Sequence, residues 1–145
     1  MGRTILFATD GSENSRRAEE TAIDVANEDD RVVVLHVVPE TPPYIMGEDY
    51  DALELDQELQ EASNQITSES AERISEAGLD TDSIVVQGHA GETICEQAEE
   101  LGADHIVLGR RGRGTAGELL LGSVSHYVIQ HAEVPVTVTG PVNAS

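Results

Sequence analysis

The sequence predicts a doubly wound α/β domain, a five-stranded parallel sheet with helices on both faces. Three observations carry this expectation. Short apolar, β-branched runs alternate along the 145 residues with longer segments whose apolar positions recur at helical spacing. The run Arg31 to Val38 is almost wholly Val and Leu, continuous rather than alternating, as in a central parallel strand covered on both faces. Aspartate and glycine then stand where the runs end, at Asp10-Gly11, Gly88 and Gly109, and a fold of this kind binds its ligand at the carboxyl ends of its strands. A chain of this length buries a real core as one domain, residues 1–145, without a second unit or a linker.

The elements follow in order. Thr4 to Thr9 is a compact apolar strand that ends in the turn Asp10-Gly11, after which Ser12 is placed to cap a helix. Ala18, Ala22, Val25 and Ala26 form the inner face of that helix, and Asn27 to Asp30 break it. Arg31 to Val38 is the second strand; His36 within it is expected to be a core histidine with a satisfied hydrogen bond. Pro39 to Asp51, with two adjacent prolines and several acids, is a loop able to lie over a pocket at the strand ends.

From Ala52 to Ala77, the residues Leu55, Leu59, Ala62, Ile66, Ile74 and Ala77 keep helical spacing, and Gly78 stops the helix. Ile84 to Gln87 is a third strand, Gly88 to Gly91 a loop, and Glu92 to Leu101 a helix facing inwards through Ile94, Ala98 and Leu101. His105 to Leu108 is the fourth strand. Leu120, Val124, Tyr127 and Val128 mark a last helix, and Val134 to Thr139 a fifth strand whose Pro135 assigns it to an edge or a strand start.

Charge narrows the partners. Twenty-eight acidic residues face eight basic ones, all arginine, for a net charge of −20. Such a surface repels nucleic acid and anionic membranes. With 39% hydrophobic residues the chain is not disordered, so the acidity belongs to a folded surface suited to strong salt, a halophilic adaptation. Cys95 stands alone, permits no internal disulfide, and reads as a small buried apolar residue in a reducing compartment. The run in MGRTILFATDGS is too short for a signal peptide and no stretch approaches membrane-spanning length, so a soluble cytoplasmic protein is expected.

The densest chemistry lies between Ile106 and Val124, IVLGRRGRGTAGELLLGSV. Leu108 ends a strand, Gly109 and Gly112 follow three residues apart, and Gly122-Ser123 come ten residues later. Glycines let a backbone approach an anion, and a helix starting near Ser123 adds its positive dipole end. Arg110, Arg111 and Arg113 put three of the eight cations in this loop, each able to make forked phosphate contacts. A Walker A loop is excluded because the chain has no lysine. Gly112 to Gly117 spells G-x-G-x-x-G, but after the fourth strand instead of the first, so it is not a dinucleotide fingerprint.

The spacing Gly109, Gly112, Gly122-Ser123 resembles the nucleotide-binding signature of the universal stress protein family. The resemblance extends to Thr9-Asp10-Gly11-Ser12 and Leu35-His36-Val37-Val38, and so covers nearly the whole chain. It implies that Asp10 binds ribose or lies beside adenine and that Val37 contacts adenine through its backbone. It further implies that Gly109, Gly112, Gly122, Ser123 and Val124 hold ribose and phosphates, with Thr9, Leu108 and the three arginines around them. The implied ligand is ATP with Mg2+, and the implied assembly is a homodimer through Val134 to Thr139. Where family members often carry a small polar residue and His between the first two glycines, this chain has Arg110-Arg111. The expected function is a stress-response or signalling regulator that holds ATP without rapid turnover. A slow ATPase or nucleotide transferase is one alternative, for which only His89, His126 and acids of the 39–51 loop are available as bases. A nucleotide-free interaction module is the other.

Overall fold

The computed structural model describes residues 2–39, 52–110 and 122–140, with backbone alone for 52–56. Its elements alternate as β1 (Thr4–Ala8), α1 (Glu13–Val25), β2 (Arg31–Val38), α2 (Ala52–Glu76), β3 (Asp80–Gln87), α3 (Ala90–Leu101), β4 (His105–Gly109), α4 (Ser123–His131) and β5 (Val136–Thr139). The five strands are parallel, in the order β3-β2-β1-β4-β5. The expected five-stranded α/β sheet is therefore present.

Strand alternation divides the core into two layers. Leu6, Ala8, Val33, Leu35, Ile106 and Leu108 face α3 and α4 through Ile94, Ala98 and Val128. Ile5, Phe7, Val32, Val34 and Val107 face the other way, onto Ala18 and Ala22 of α1 and Ile74 of α2. The first two crossovers move outward from β1 to β3 and the last two move back past it to β5. Right-handed connections then put α1 and α2 on one face and α3 and α4 on the opposite one.

Three elements differ from their sequence pattern, each for a physical reason. Strand β3 begins at Asp80, four residues before the apolar run, because Asp80 to Ser83 pair in register with Arg31 to Val34. It is the outer strand of the sheet, largely exposed over those residues, so hydrophobicity gives no signal there. Helix α3 begins at Ala90 instead of Glu92. Gly91 lies inside it, where an added Cβ would come within 2.9 Å of the Tyr127 side chain; glycine here lets α3 and α4 pack closely. Strand β5 begins at Val136, two residues later than expected, after Pro135.

Helix α2 shows a different departure. Ala62, expected inside, is exposed, whereas Ser63, Thr67 and Ser70 are buried on the same stripe as Ile74. Thr67 returns its hydroxyl to the Ser63 carbonyl. Ser70 Oγ donates to Glu19 Oε1 at 2.6 Å, and Arg73 grips both carboxylate oxygens at 2.7 and 2.8 Å. Glu19, in the middle of α1, is only 3% exposed. Donating these hydrogen bonds to Glu19 raises the Arg73 pKa above its ordinary value. The α1–α2 contact is thus a charged, hydrogen-bonded joint, and small hydroxyl residues on α2 leave room for it.

At the amino-terminal end of the sheet, Asp30 closes the α1–β2 turn. Its carboxylate accepts from the backbone N–H groups of Asn27 and Arg3, both at 2.8 Å, and from the Arg3 guanidinium at 2.8 and 3.2 Å. Arg3 also donates to the Val25 carbonyl at the end of α1. Backbone donors, Asn27 first and then Arg3, hold the Asp30 pKa down at about 2. A carboxylate with a depressed pKa contributes stability above its unfolded value and loses it as pH falls through the folded value. We predict that Asp30→Asn costs about 2 kcal/mol at neutral pH, in the range for hydrogen bonds to a charged group. The difference between variant and wild type should hold above pH 4 and shrink as pH falls towards 2. Urea unfolding across that range measures it, and a difference independent of pH would contradict the assignment.

Candidate functional site

The strand order reverses beside β1: β2 and β3 lie on one side, β4 and β5 on the other. Chain segments leaving β1 and β4 therefore diverge at their carboxyl ends, and a crevice opens there. It holds a cavity of about 260 Å³, close to the lower end of the roughly 300–1,000 Å³ usual for small-molecule sites. Ala8, Leu35, Val37, Ile94, Leu108 and Val124 supply apolar walls, while Thr9, Asp10, Ser15, Ser123 and Ser125 supply polar groups.

The turn after β1 is held from several sides. Thr9 N–H continues the sheet by donating to the Leu35 carbonyl at 2.9 Å, and the Thr9 carbonyl accepts from His36 Nδ1 at 2.8 Å. His36 is half-buried and satisfied in this way, as its sequence position suggests. Thr9 Oγ1 accepts from Gly11 N–H, and Gly11 takes φ +81°, a left-handed conformation that glycine adopts without penalty. Asp10 Oδ1 accepts from Ser12 N–H at 2.9 Å and from Ser15 Oγ at 2.7 Å. Ser12 caps α1 as expected, its side chain accepting from Ser15 N–H.

Across the cavity stands the amino terminus of α4. Its N-cap is Gly122, which has no side chain to cap with, so the first-turn N–H groups of Ser123, Val124 and Ser125 have no intrahelical acceptor. Ser125 is buried, and its hydroxyl donates to the Gly122 carbonyl at 3.0 Å. An open helix start carries about half a positive charge and donors suited to an anion. Asp10 is the sole titratable side chain among the described residues lining the cavity.

Of the residues singled out by sequence, Thr9, Asp10, Val37, Leu108, Gly109, Gly122, Ser123 and Val124 all line this cavity. Arg110 follows the lining residue Gly109, is half-buried, and donates its N–H to the Thr139 carbonyl at 3.0 Å. Arg111, Gly112 and Arg113 lie outside the described residues, as does the loop over residues 40–51; Pro39, which precedes it, lines the cavity. Sequence reasoning did not single out Ser15, Ile94 or Ser125 as site residues. Ser15 had a legible signal, since a hydroxyl three residues after the cap Ser12 stands where a side chain reaches back over the helix start.

Gly109 has a packing role in addition. A Cβ there would sit 2.6 Å from the Asn14 carbonyl oxygen, too close for any side chain. Its absence lets the first turn of α1 lie against the end of β4. Cys95 is half-buried on α3, where burial first and then Glu99 and Glu96 push its thiol pKa up. Among the described residues no cluster of three His, Cys, Asp or Glu is placed to hold a metal ion, and no helix is long and apolar enough to cross a membrane.

Fold and cavity define an α/β protein with an anion-compatible crevice at its topological switch point. The chain belongs to the universal stress protein family, whose model matches residues 1–140. It is 34% identical to a universal stress protein of Synechocystis, over 95% of this chain and 85% of that one. The solved structure of the protein MJ0577 superposes with a TM-score of 0.86 at 30% identity, over 99% of both chains. A universal stress protein solved in complex with cAMP superposes with a TM-score of 0.73 at 27% identity, over 94% of this chain and 96% of that one.

Proposed function

We propose that the chain binds an adenine nucleotide, ATP with Mg2+ carried on its phosphates, and serves in the cytoplasm as a stress-response or signalling regulator without rapid turnover. The observation that carries the reading is the cavity in which the ends of β1, β2 and β4 meet the open start of α4. Apolar walls suit a flat base beside the Val37 backbone, Asp10 offers a carboxylate to ribose or adenine, and Gly122, Ser123 and Val124 offer backbone donors to phosphate. Arg110, Arg111 and Arg113 supply the outer phosphates with the positive charge that a chain of net −20 otherwise lacks, and Gly109 and Gly112 let the backbone approach them. Membership of the family and the likeness to a cAMP-bound member support the same ligand class.

Calorimetric titration with MgATP and with AMP in molar potassium chloride tests this. Wild type should bind, and Gly122→Val should abolish binding. The backbone at Gly122, φ −60° and ψ 156°, is in a region open to any residue, so the substitution demands no left-handed backbone while adding a branched side chain where the phosphate is proposed to lie. Phosphate release should run far below the enzymatic median of about 10 per second. Absence of binding by wild type would overturn the reading, and release at ordinary enzymatic rates would make the protein an ATPase.

The assembly proposed is a homodimer. Strand β5 pairs with β4 alone among the described strands, and an unpaired edge is removed by antiparallel self-pairing about a two-fold axis. The paired segment is Val136–Thr139 within the broader 134–139 stretch. Ile129 on the adjoining α4 is 45% exposed, the one large hydrophobic side chain so exposed among the described residues, and burial against a second copy accounts for it. Light scattering in molar salt at micromolar concentration should give twice the 15.5 kDa chain mass. A monomer under those conditions would count against the pairing.

Adaptation to strong salt is the third part of the reading. Arg3, Arg16, Arg31 and Arg73 are engaged by Asp30, Glu19 and Asp82, leaving a large acidic excess facing solvent. The Debye length is about 10 Å at 0.1 M and about 3 Å at 1 M, so dilution restores repulsion across that surface. The melting temperature should therefore rise steadily from 0.1 to 3 M potassium chloride, and a flat profile would contradict the adaptation.

A further inference from the structure

Resting on the nucleotide reading of this cavity, we infer that Ser15 is a positioning residue for the ligand-binding carboxylate of Asp10. The geometry is reciprocal. Ser15 Oγ donates its single proton to Asp10 Oδ1 at 2.7 Å, and the Asp10 backbone N–H donates to the same Oγ at 3.1 Å. With Ser12 N–H on Oδ1 at 2.9 Å, the carboxylate is held at one oxygen by two donors, and swinging that oxygen away breaks both. Asp10 itself is exposed at the cavity mouth, whereas Ser15 is only 6% exposed. A buried hydroxyl therefore fixes an exposed acceptor, and charge-assisted bonds of this length are among the stronger hydrogen bonds available.

The position of Ser15 is itself fixed by the fold. Its N–H donates to the cap Ser12 at 3.2 Å, and the turn carrying it lies against β4 at Gly109, where a Cβ would come 2.6 Å from the Asn14 oxygen and 3.3 Å from Ser15 N. On the outer side, Ile66 of α2 packs over Gly11, its Cδ1 lying 3.0 Å from where a Cβ would stand. The first turn of α1 is held between the β1 turn and the end of β4. Ser15 thus transmits the placement of a helix to an exposed carboxylate. A fixed acceptor at this end selects ligands that present a hydroxyl or amino donor to it, which is what a ribose or an adenine offers.

The test is a double-mutant cycle read by AMP titration calorimetry in 2 M potassium chloride, on wild type, Ser15→Ala, Asp10→Ala and the double variant. Ser15→Ala should weaken AMP about tenfold. In the Asp10→Ala background the same change should weaken it less than twofold, because the hydroxyl then has no carboxylate to hold. Equal losses in both backgrounds would mean that Ser15 only packs the helix, and an unchanged affinity in Ser15→Ala would mean that Asp10 needs no such support; either overturns the inference. Ser15→Cys keeps the side chain's shape with a weak donor, and should reproduce the loss if the alanine variant does not fold. No AMP binding by wild type would overturn the nucleotide reading and this inference together, whereas normal wild-type binding with an additive cycle would overturn this inference alone.

Discussion

The structure depends on covering β1 from both faces and both edges at once. Ile5, Leu6 and Phe7 are fully buried, with β2 on one side and β4 on the other. A chain that leaves β1 by right-handed crossovers can meet that demand only by building outward in one direction and then returning to build in the other. The reversal has two results. It separates α1 and α2 from α3 and α4, giving the two apolar layers, and it leaves the carboxyl ends of β1 and β4 adjacent with their connections pointing apart. The cavity is therefore a consequence of burying Phe7 and its neighbours, and the chemistry lies in which residues stand on its rim.

The two faces are held by different means. On the α3–α4 face the contact is apolar and close, tight enough that Gly91 has no room for a methyl group beside Tyr127. On the α1–α2 face a buried carboxylate, Glu19, takes three hydrogen bonds from Ser70 and Arg73. Replacing such a set by well-packed hydrophobic residues is often neutral or stabilising, so its presence argues for geometry more than for stability. The bonds fix the register of α2 on α1, and α2 in turn packs over Gly11 through Ile66. Helix α1 is thereby held at its middle by Glu19 and at its start by the Ser12 cap, and the turn that carries Asp10 inherits that rigidity.

What was legible in the sequence follows the same physics. Elements with full burial were readable, the Val and Leu run of β2 and the apolar β1 and β4, and so was the glycine stop at Gly78. So were the strand-end residues, because Asp10, Val37 and Gly109 reach one cavity through topology alone. Legibility failed where polarity replaced burial. The exposed first half of β3 carries no apolar pattern, and the buried face of α2 is written in Ser63, Thr67 and Ser70, which the hydrophobic period assigns to the outside. Ser15 was legible only from its place three residues after the cap Ser12: its role is a hydrogen bond to a residue five positions earlier, and the hydrophobic period of α1 sees only another small polar residue.

Charge poses the remaining demand on the site. An anion approaching a chain of net −20 meets repulsion once it comes within the screening length of the acidic surface, so an attraction that overcomes it must be local and short-ranged. An uncapped helix start meets that requirement, because its donors act within the first turn and its dipole fades beyond it. Gly122 at the N-cap is then more than a space-saver. A Ser or Asp there would satisfy α4 donors internally, as Ser12 does for α1, and an Asp would also place a negative charge beside them. Two of the helix starts at the cavity divide the work: the first turn of α1 holds Asp10, and the start of α4 carries no side-chain cap.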